Sequence, residues 1–259
     1  MNESSPDKSV IRFAHLIAQS LVDLAQPKPG DRVLDVATGV GAVALCAAGK
    51  VLPNGQVVGI DLASPLLAHA RQRLAIVGIP QVTLLEGELE QLRFADETFD
   101  CVFCSSAIFR LPDMMAGLCE WRRVLKPGGT VAFSGYGARR FQPLLKLFET
   151  SLRRYAAELP PQPFAWQWLT DLEAFRELLR SAGFSAIDVR SEQLGYDLAG
   201  GDEWWEFVWN SDFRDLLDSL TLDVLAQFKA EHLAAVTKLA TAQGIWLNVV
   251  AIFAVGQKG

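Results

Sequence analysis

The chain has 259 residues, half of them apolar, and a formal net charge of −6. That is enough for one large α/β domain with a substantial core. The acidic balance argues against a nucleic-acid backbone as the main partner, because such binders present a basic face. The basic clusters here are short: Arg122-Arg123, Arg139-Arg140 and Arg153-Arg154.

The opening "MNESSPDKSV" lacks the basic region and apolar stretch of a signal peptide, so it reads as a short disordered tail. No apolar run approaches the ~20 residues of a membrane span. A cytoplasmic protein is the expectation. From Ile11 to Ala25, Phe13, Ile17, Leu21 and Leu24 fall at helical spacing, which places a helix within 9–28, and "QPKPGD" stops it. "RVLDVA" reads as the first strand, Gly41 to Lys50 as a helix, "LPNG" as a turn and "QVVGID" as a second strand. Ser64-Pro65 reads as an N-cap followed by proline at the first helical position, with Gly78 at the helix end.

"VTLLEG" is the third strand, "ADETFD" a turn and "CVFCSS" the fourth strand. Asp113 caps a helix ending at "LKPGG", and "TVAFSGY" is the fifth strand. This alternation implies a parallel, doubly wound sheet whose apolar strands are buried on both faces. Beyond it, residues 141–170 hold a helix and the loop "ELPPQPFAWQW". Thr170 and Glu173 form a capping box for "DLEAFRELLRSAG". Residues 184–192 read as a sixth strand, 202–243 as helices and 245–257 as the final strand.

The chemistry concentrates in "VLDVATGVGAVAL". A strand, a small-residue turn and a helix N-terminus make a cradle for polar, partly anionic groups. Gly39 to Ala44 reads G-x-G-x-x-A, and Asp61 lies 20 residues past Gly41, as a nicotinamide dinucleotide site requires. Three features oppose that reading. Asp35 ends the strand and three residues intervene before Gly39, whereas the dinucleotide pattern puts glycine almost directly after the strand. The Asp35 carboxylate stands where a pyrophosphate must approach, and suits a ligand with a positive group. "LKPGGTVAF" adds a turn that the dinucleotide pattern does not require.

Taken together, "VLDVATGVG", "VVGIDLASPLLAHAR", "LLEGELEQLRFADETFDCVFCSSAIFRLPD" and "EWRRVLKPGGTVAFS" resemble the class I S-adenosylmethionine-dependent methyltransferases. Within them the sequence looks like the group containing the ubiquinone and menaquinone methyltransferases. The resemblance covers roughly residues 30–136 and is weak beyond 140, where such enzymes choose their substrates. It implies a Rossmann-like seven-stranded, mostly parallel sheet with helices on both faces and an antiparallel last strand. It implies one methyltransferase domain over 1–259, with a cofactor-binding core at 30–140 and helical lid insertions at 141–170 and 200–244.

It further implies S-adenosyl-L-methionine as cofactor and S-adenosyl-L-homocysteine as product. Asp35, Ala37, Thr38, Gly39 and Gly41 would hold the amino-acid end, with Asp35 near the ammonium. Asp61 would accept from the ribose diol, and Leu62 would lie against the adenine. Gly87, Glu88 and Leu89 would meet the adenine edge, with Glu88 standing where the family usually has Asp. Ser105 would end the fourth strand beside the methyl group.

The acceptor side is read from what is missing and from the aromatics. The Asn/Asp-Pro-Pro-aromatic turn of base and glutamine methyltransferases is replaced by "SSAIF". No acidic cluster lies between Ser105 and Pro112, and the C-x-x-C of Cys101 and Cys104 sits in an apolar run with no second ligand pair, so no metal is expected. Of seven Trp, only Trp121 lies in the first five-stranded part. Trp205 and Trp209 share a helix face: they either pack accessory helices or wall the acceptor pocket with Ser106, Phe109 and Tyr136. Tyr136 and His15 are the candidates for a base, should the acceptor need to lose a proton. The leading reading is methyl transfer to O, C or N of a small, largely hydrophobic metabolite. The alternatives are an NAD(P)-dependent oxidoreductase and a non-catalytic S-adenosylmethionine-binding module.

Overall fold

The first five strands are apolar where helices cover them, and their parallel pairing follows from the helical crossovers that join them. The computed structural model describes residues 8–156 and 164–259, with side chains from Val10 onward. Residues 1–7 of the opening tail and 158–163 of the proline-rich loop lie outside the described residues, while Lys8, Ser9 and Val10, read as part of that tail, already belong to the first helix. Helix α1 (Lys8–Ala25) precedes β1 (Arg32–Val36), α2 (Ala42–Val51), β2 (Gln56–Asp61), α3 (Ser64–Val77), β3 (Val82–Glu86) and β4 (Phe99–Cys104). Then come α4 (Met114–Val124), β5 (Leu125–Tyr136), α5 (Leu144–Leu152), α6 (Leu172–Ser181) and β6 (Phe184–Leu198). Helices α7 (Gly201–Trp209), α8 (Arg214–Leu217) and α9 (Leu222–Thr237) lead to β7 (Ile245–Lys258).

The seven strands form one sheet in the order β3-β2-β1-β4-β5-β7-β6, with β7 antiparallel to both β5 and β6. This is the expected doubly wound architecture. Successive residues on β5 show the layering, since neighbouring side chains on a strand point to opposite faces. Phe133 stacks on Phe175 of α6, and a Cβ at Gly135 would strike that same ring at 2.6 Å. Tyr136, on the other face, meets Phe13 of α1. One hydrophobic core runs from α1 through the sheet to α5, α7 and α9.

Several local readings are corrected. Ser64 is not a cap: Ala63 is the N-cap, and the Ser64 hydroxyl donates to Glu86. Asp171, one residue past Thr170, caps α6 by accepting from the Glu173 N–H, so no Thr170–Glu173 box forms. Strand β4 starts two residues earlier than expected and leaves Ser105 and Ser106 beyond its end. Strand β6 continues to Leu198 rather than stopping near residue 192. Asp113 and Gly78 cap their helices as read. Asp100 is a brace inside β4, accepting from the Arg32 N–H at 2.8 Å and from Lys126 Nζ at 2.7 Å.

Candidate functional site

In a doubly wound sheet, ligands sit at the carboxyl ends of the strands where the winding reverses. Here the reversal lies between β1 and β4. The strand order lays Glu88 (after β3), Asp61 (β2), Gly39 (after β1), Ser105 (after β4) and Tyr136 (β5) along one edge. Four strand spacings make that line ~19 Å long. A cavity of about 270 Å³ opens over its β1, β4 and β5 part, and its lining is mostly apolar.

The β1–α2 turn supplies one wall. Asp35 is buried, and its Oδ2 accepts from the Thr38 hydroxyl at 2.6 Å and from the Ala44 N–H at 3.0 Å. Its Oδ1 is buried with no hydrogen-bond partner. Burial pushes the carboxyl up to about 7, and the neighbouring Asp61 charge adds to the rise, while the two hydrogen bonds oppose it. An unpartnered buried acceptor asks for a donor, and a cationic donor would restore the ionised form.

Two glycines shape the turn differently. Gly39 has φ +52, and a Cβ built there meets only the Ala37 carbonyl, at 4.0 Å. Its missing side chain therefore leaves cavity space. Gly41, at φ +76, begins α2 and backs onto Ala70, where a Cβ would sit at 3.2 Å. It shapes the turn without lining the cavity. Arg73 of α3 clamps the turn by donating to the Val40 carbonyl at 2.6 Å. The Asp61 carboxylate is a second clamp, accepting from the Gly39 N–H at 2.8 Å and the Ala63 N–H at 2.9 Å.

Ala37, Thr38, Ser105, Ser106, Phe109 and Tyr136 line the cavity with Asp35 and Gly39. Leu62 and Glu88 are exposed and, like Asp61, Gly87 and Leu89, do not line the cavity, and the Gly87 N–H donates to the Asp61 carbonyl. The Leu89 carbonyl accepts from the Trp121 indole at 3.0 Å. Ser134, fully buried on β5, receives the Ser106 N–H at 2.9 Å and lies 3.5 Å from the Ser105 hydroxyl. This holds the β4 end over the sheet.

Two expectations fail. His15 is exposed on α1 and its Nδ1 lies 3.6 Å from Cys46 Sγ, away from the cavity. Trp205 and Trp209 do not wall the cavity. They stack on each other at 6.2 Å, Trp205 lies 6.1 Å from Phe228 of α9, and both border a shallow surface groove with Leu222 and Lys229. The reason is helical phase. Trp204, Phe207 and Val208 occupy i, i+3 and i+4 and take the inner face of α7, which turns the 205/209 pair onto α9. Phe207, not either of those Trp, faces the cavity.

Of the opposite wall the sequence reading named Tyr136 and passed over Phe13, Phe207, Phe213 and Arg140. Phe13 of α1, Trp166, Phe207 and Phe213 converge on Tyr136 and Arg140. Burial pushes the Tyr136 phenol above its ordinary range, against the opposing pull of Arg140 and a hydrogen bond with Ser106. Arg140 is itself buried, and desolvation pulls its guanidinium down to about 10. Its carbon centre lies 3.3 Å from the Tyr136 ring centroid, 3.9 Å from Phe141 and 5.0 Å from Trp166. Each such contact is worth ~0.5–2 kcal/mol, of the same order as the several kcal/mol that burying the charge costs. At the mouth, Arg110 pairs with Asp212.

The described residues contain no group of three or more His, Cys, Asp or Glu able to hold a metal. Cys101 and Cys104 are buried, unpaired thiols pushed up by burial, Cys101 to about 12. No helix among the described residues is long and apolar enough to cross a membrane.

Comparison with known proteins gives this geometry a context. The model of a methyltransferase domain family matches residues 33–129. Over 241 residues the chain is 28% identical to a nocamycin O-methyltransferase of Saccharothrix syringae, across 87% of this chain and 84% of that protein. Over 179 residues it is 34% identical to a ubiquinone/menaquinone biosynthesis C-methyltransferase of Geobacter sulfurreducens, across 64% of this chain and 69% of that protein. Among solved structures, a phosphoethanolamine N-methyltransferase 2 of Haemonchus contortus in complex with S-adenosyl-L-methionine aligns with a TM-score of 0.56 at 22% identity, across 93% of this chain and 52% of that one.

Proposed function

Because this chain belongs to the S-adenosylmethionine-dependent methyltransferases, we propose that it methylates a small, largely hydrophobic metabolite bound in the aromatic half of the cavity. The observation that carries the reading is the contiguity of two unlike walls. A glycine turn with an unpartnered carboxylate oxygen meets a wall of Phe, Tyr and Trp across the ends of β4 and β5. Membership in this family replaces the nicotinamide reading of the glycine loop.

The residues fit the cofactor on two counts: the orphaned Asp35 Oδ1 matches an ammonium, and a Cβ at Gly39 would fill the cradle. When bound, S-adenosylmethionine supplies an electrophilic methyl group on a sulfonium. In our reading Asp35 holds the amino group, and the backbone from Ala37 through Gly39 lies against the methionine chain. Asp61, kept in place by its two loop amides, turns its remaining lone pairs to the ribose diol. Leu62, Gly87, Glu88 and Leu89 border the adenine, and Ser105 stands at the reacting end. Ser106, Phe109 and Tyr136 flank the acceptor. The segments involved run from residue 10 to residue 213, and we read the whole chain as one methyltransferase domain with a helical cover.

Catalysis then rests on alignment and on a dry cavity, which suffice for much of an in-line displacement. The raised Tyr136 keeps its proton at neutral pH, so it serves as a hydrogen-bond donor and not as a base. The test is incubation with methyl-labelled cofactor and a panel of quinols, phenols and polyketide-like aromatics. Label in an extractable small molecule supports the reading. Label confined to protein or nucleic acid, or none, defeats it.

A further inference from the structure

We propose that Arg140 is an anion anchor and that the acceptor carries an anionic oxygen group, a carboxylate or an ionised phenol or enol, which docks on its free edge. The inference rests on the acceptor occupying the aromatic half of the cavity, and it names the chemical class of that acceptor.

The argument starts from the two arginines after β5. Arg139 is exposed, while Arg140 is 5% exposed and lines the cavity. A guanidinium has a flat face and an edge carrying five N–H donors. The faces are served here, since Tyr136, Phe141 and Trp166 surround the group. The edge is not: Nε and Nη1 are both buried without a hydrogen-bond partner. Stacking on rings cannot satisfy in-plane donors. Each of these two donors lies beside Nη2, and either one together with Nη2 matches the two oxygens of a carboxylate.

The protein's own acids do not fill the place. Asp212, the carboxylate nearest in charge to Arg140, is engaged by Arg110 at the cavity mouth. Asp35 belongs to the glycine-turn wall and is held by Thr38 and Ala44. The anion must therefore come with a ligand. It has two possible sources, the acceptor and the carboxylate of the cofactor's own amino-acid end. We assign the acceptor because Arg140 is caged by Tyr136, Phe141 and Trp166 on the aromatic wall. The assignment also accounts for a cavity without a base, since an acceptor that arrives ionised needs none.

The experiment compares 2-naphthoate with the isosteric neutral 2-naphthamide, titrated into protein saturated with S-adenosylhomocysteine and read by calorimetry. Wild type, Arg140→Met and Arg140→Lys are measured, each first checked for cooperative melting and for S-adenosylhomocysteine affinity. Wild type is expected to prefer the carboxylate at least tenfold, equivalent to ~1.4 kcal/mol. Arg140→Met should lose that preference, Arg140→Lys should recover part of it, and S-adenosylhomocysteine affinity should stay unchanged. Equal affinity of wild type for both probes, including no binding of either, overturns the proposal, and that comparison needs no variant to fold. A preference surviving in Arg140→Met overturns it as well. Loss of S-adenosylhomocysteine affinity in a folded Arg140→Met assigns the guanidinium to the cofactor's carboxylate and overturns the acceptor assignment. If neutral aromatics are methylated equally by wild type and Arg140→Met, the proposed function stands and this inference alone falls.

Discussion

Asp35→Asn separates what the buried carboxylate does for stability from what it does for binding. Folding moves this carboxyl from 3.8 to about 7, chiefly by desolvation. The raised value means that the native state holds a proton which the unfolded chain releases between those limits. The stabilisation is complete below pH 3.8 and is lost as pH rises toward 7. A shift of about three units corresponds to about 4 kcal/mol. Asparagine copies the protonated acid: its Oδ1 can accept from Thr38 and Ala44 in place of the carboxylate Oδ2, and its amide occupies the unpartnered position. Unliganded Asp35→Asn should therefore match wild type near pH 4 and exceed it by up to about 4 kcal/mol at pH 8.

Binding should go the other way. The amide turns a donor toward the cofactor's ammonium, so S-adenosylhomocysteine affinity at pH 8 should fall at least tenfold, or ~1.4 kcal/mol. Wild-type binding near pH 6 should release a proton, because the ammonium favours the ionised carboxylate. Denaturant unfolding across pH gives the stabilities, and calorimetry in buffers of different ionisation enthalpy gives the proton count. The reasoning is refuted if Asp35→Asn keeps the wild-type pH slope of stability, or if it binds S-adenosylhomocysteine at pH 8 as tightly as wild type.

Three further substitutions probe the other parts. Gly39→Val should leave the protein folded but reduce S-adenosylhomocysteine affinity more than tenfold, because the side chain enters cavity space and strains a φ of +52; native affinity by calorimetry would reduce the loop to a turn. Asp61→Ala strips the acceptor from the Gly39 and Ala63 amides. At ~1.5–3 kcal/mol for each charged hydrogen bond, it should lower both melting temperature and cofactor affinity. Unchanged affinity in the folded variant would count against the ribose placement. Trp205→Ala should cost ~3–5 kcal/mol of stability, because it removes a buried aromatic of α7 that packs on α9. Turnover per folded molecule should hold, and a selective loss of turnover would return Trp205 to the acceptor wall.

The parallel half was legible because its signals are local. Strands with two buried faces must be apolar, and the Asp35-to-Gly41 turn gathers its chemistry within one stretch of chain. Strand β6 was cut short because it is an edge strand: with one side unpaired and much of its length exposed, "EQLGYDL" needs no apolar run. The Asp171 cap was misplaced by one residue because Thr and Asp are interchangeable by type at an N-cap. The aromatic wall of the cavity was hidden for a deeper reason. Spacing shows that Trp205 and Trp209 share a face, but which face turns inward depends on how α7 packs on α1 and α9, and that is a tertiary matter. The clue to Arg140 was available in "SGYGARRF": two arginines directly after a buried strand, among aromatics and with no acid nearby.

The cover over the cavity also has a polymer-physics consequence. Leu198 at the end of β6 pairs with Ile245 at the start of β7, so everything between them is an excursion whose two ends are pinned by the sheet. The entropy of closing such a loop grows only with the logarithm of its length, and doubling it costs about 0.6 kcal/mol. Lengthening, shortening or replacing the excursion therefore changes the aromatic walls of the cavity at little expense to the sheet beneath it. The same pinned ends define where a chimera should be cut: exchanging residues 199–244 between related enzymes carries the Phe207 and Phe213 side of the wall with them and leaves Asp35, Gly39 and Asp61 in register.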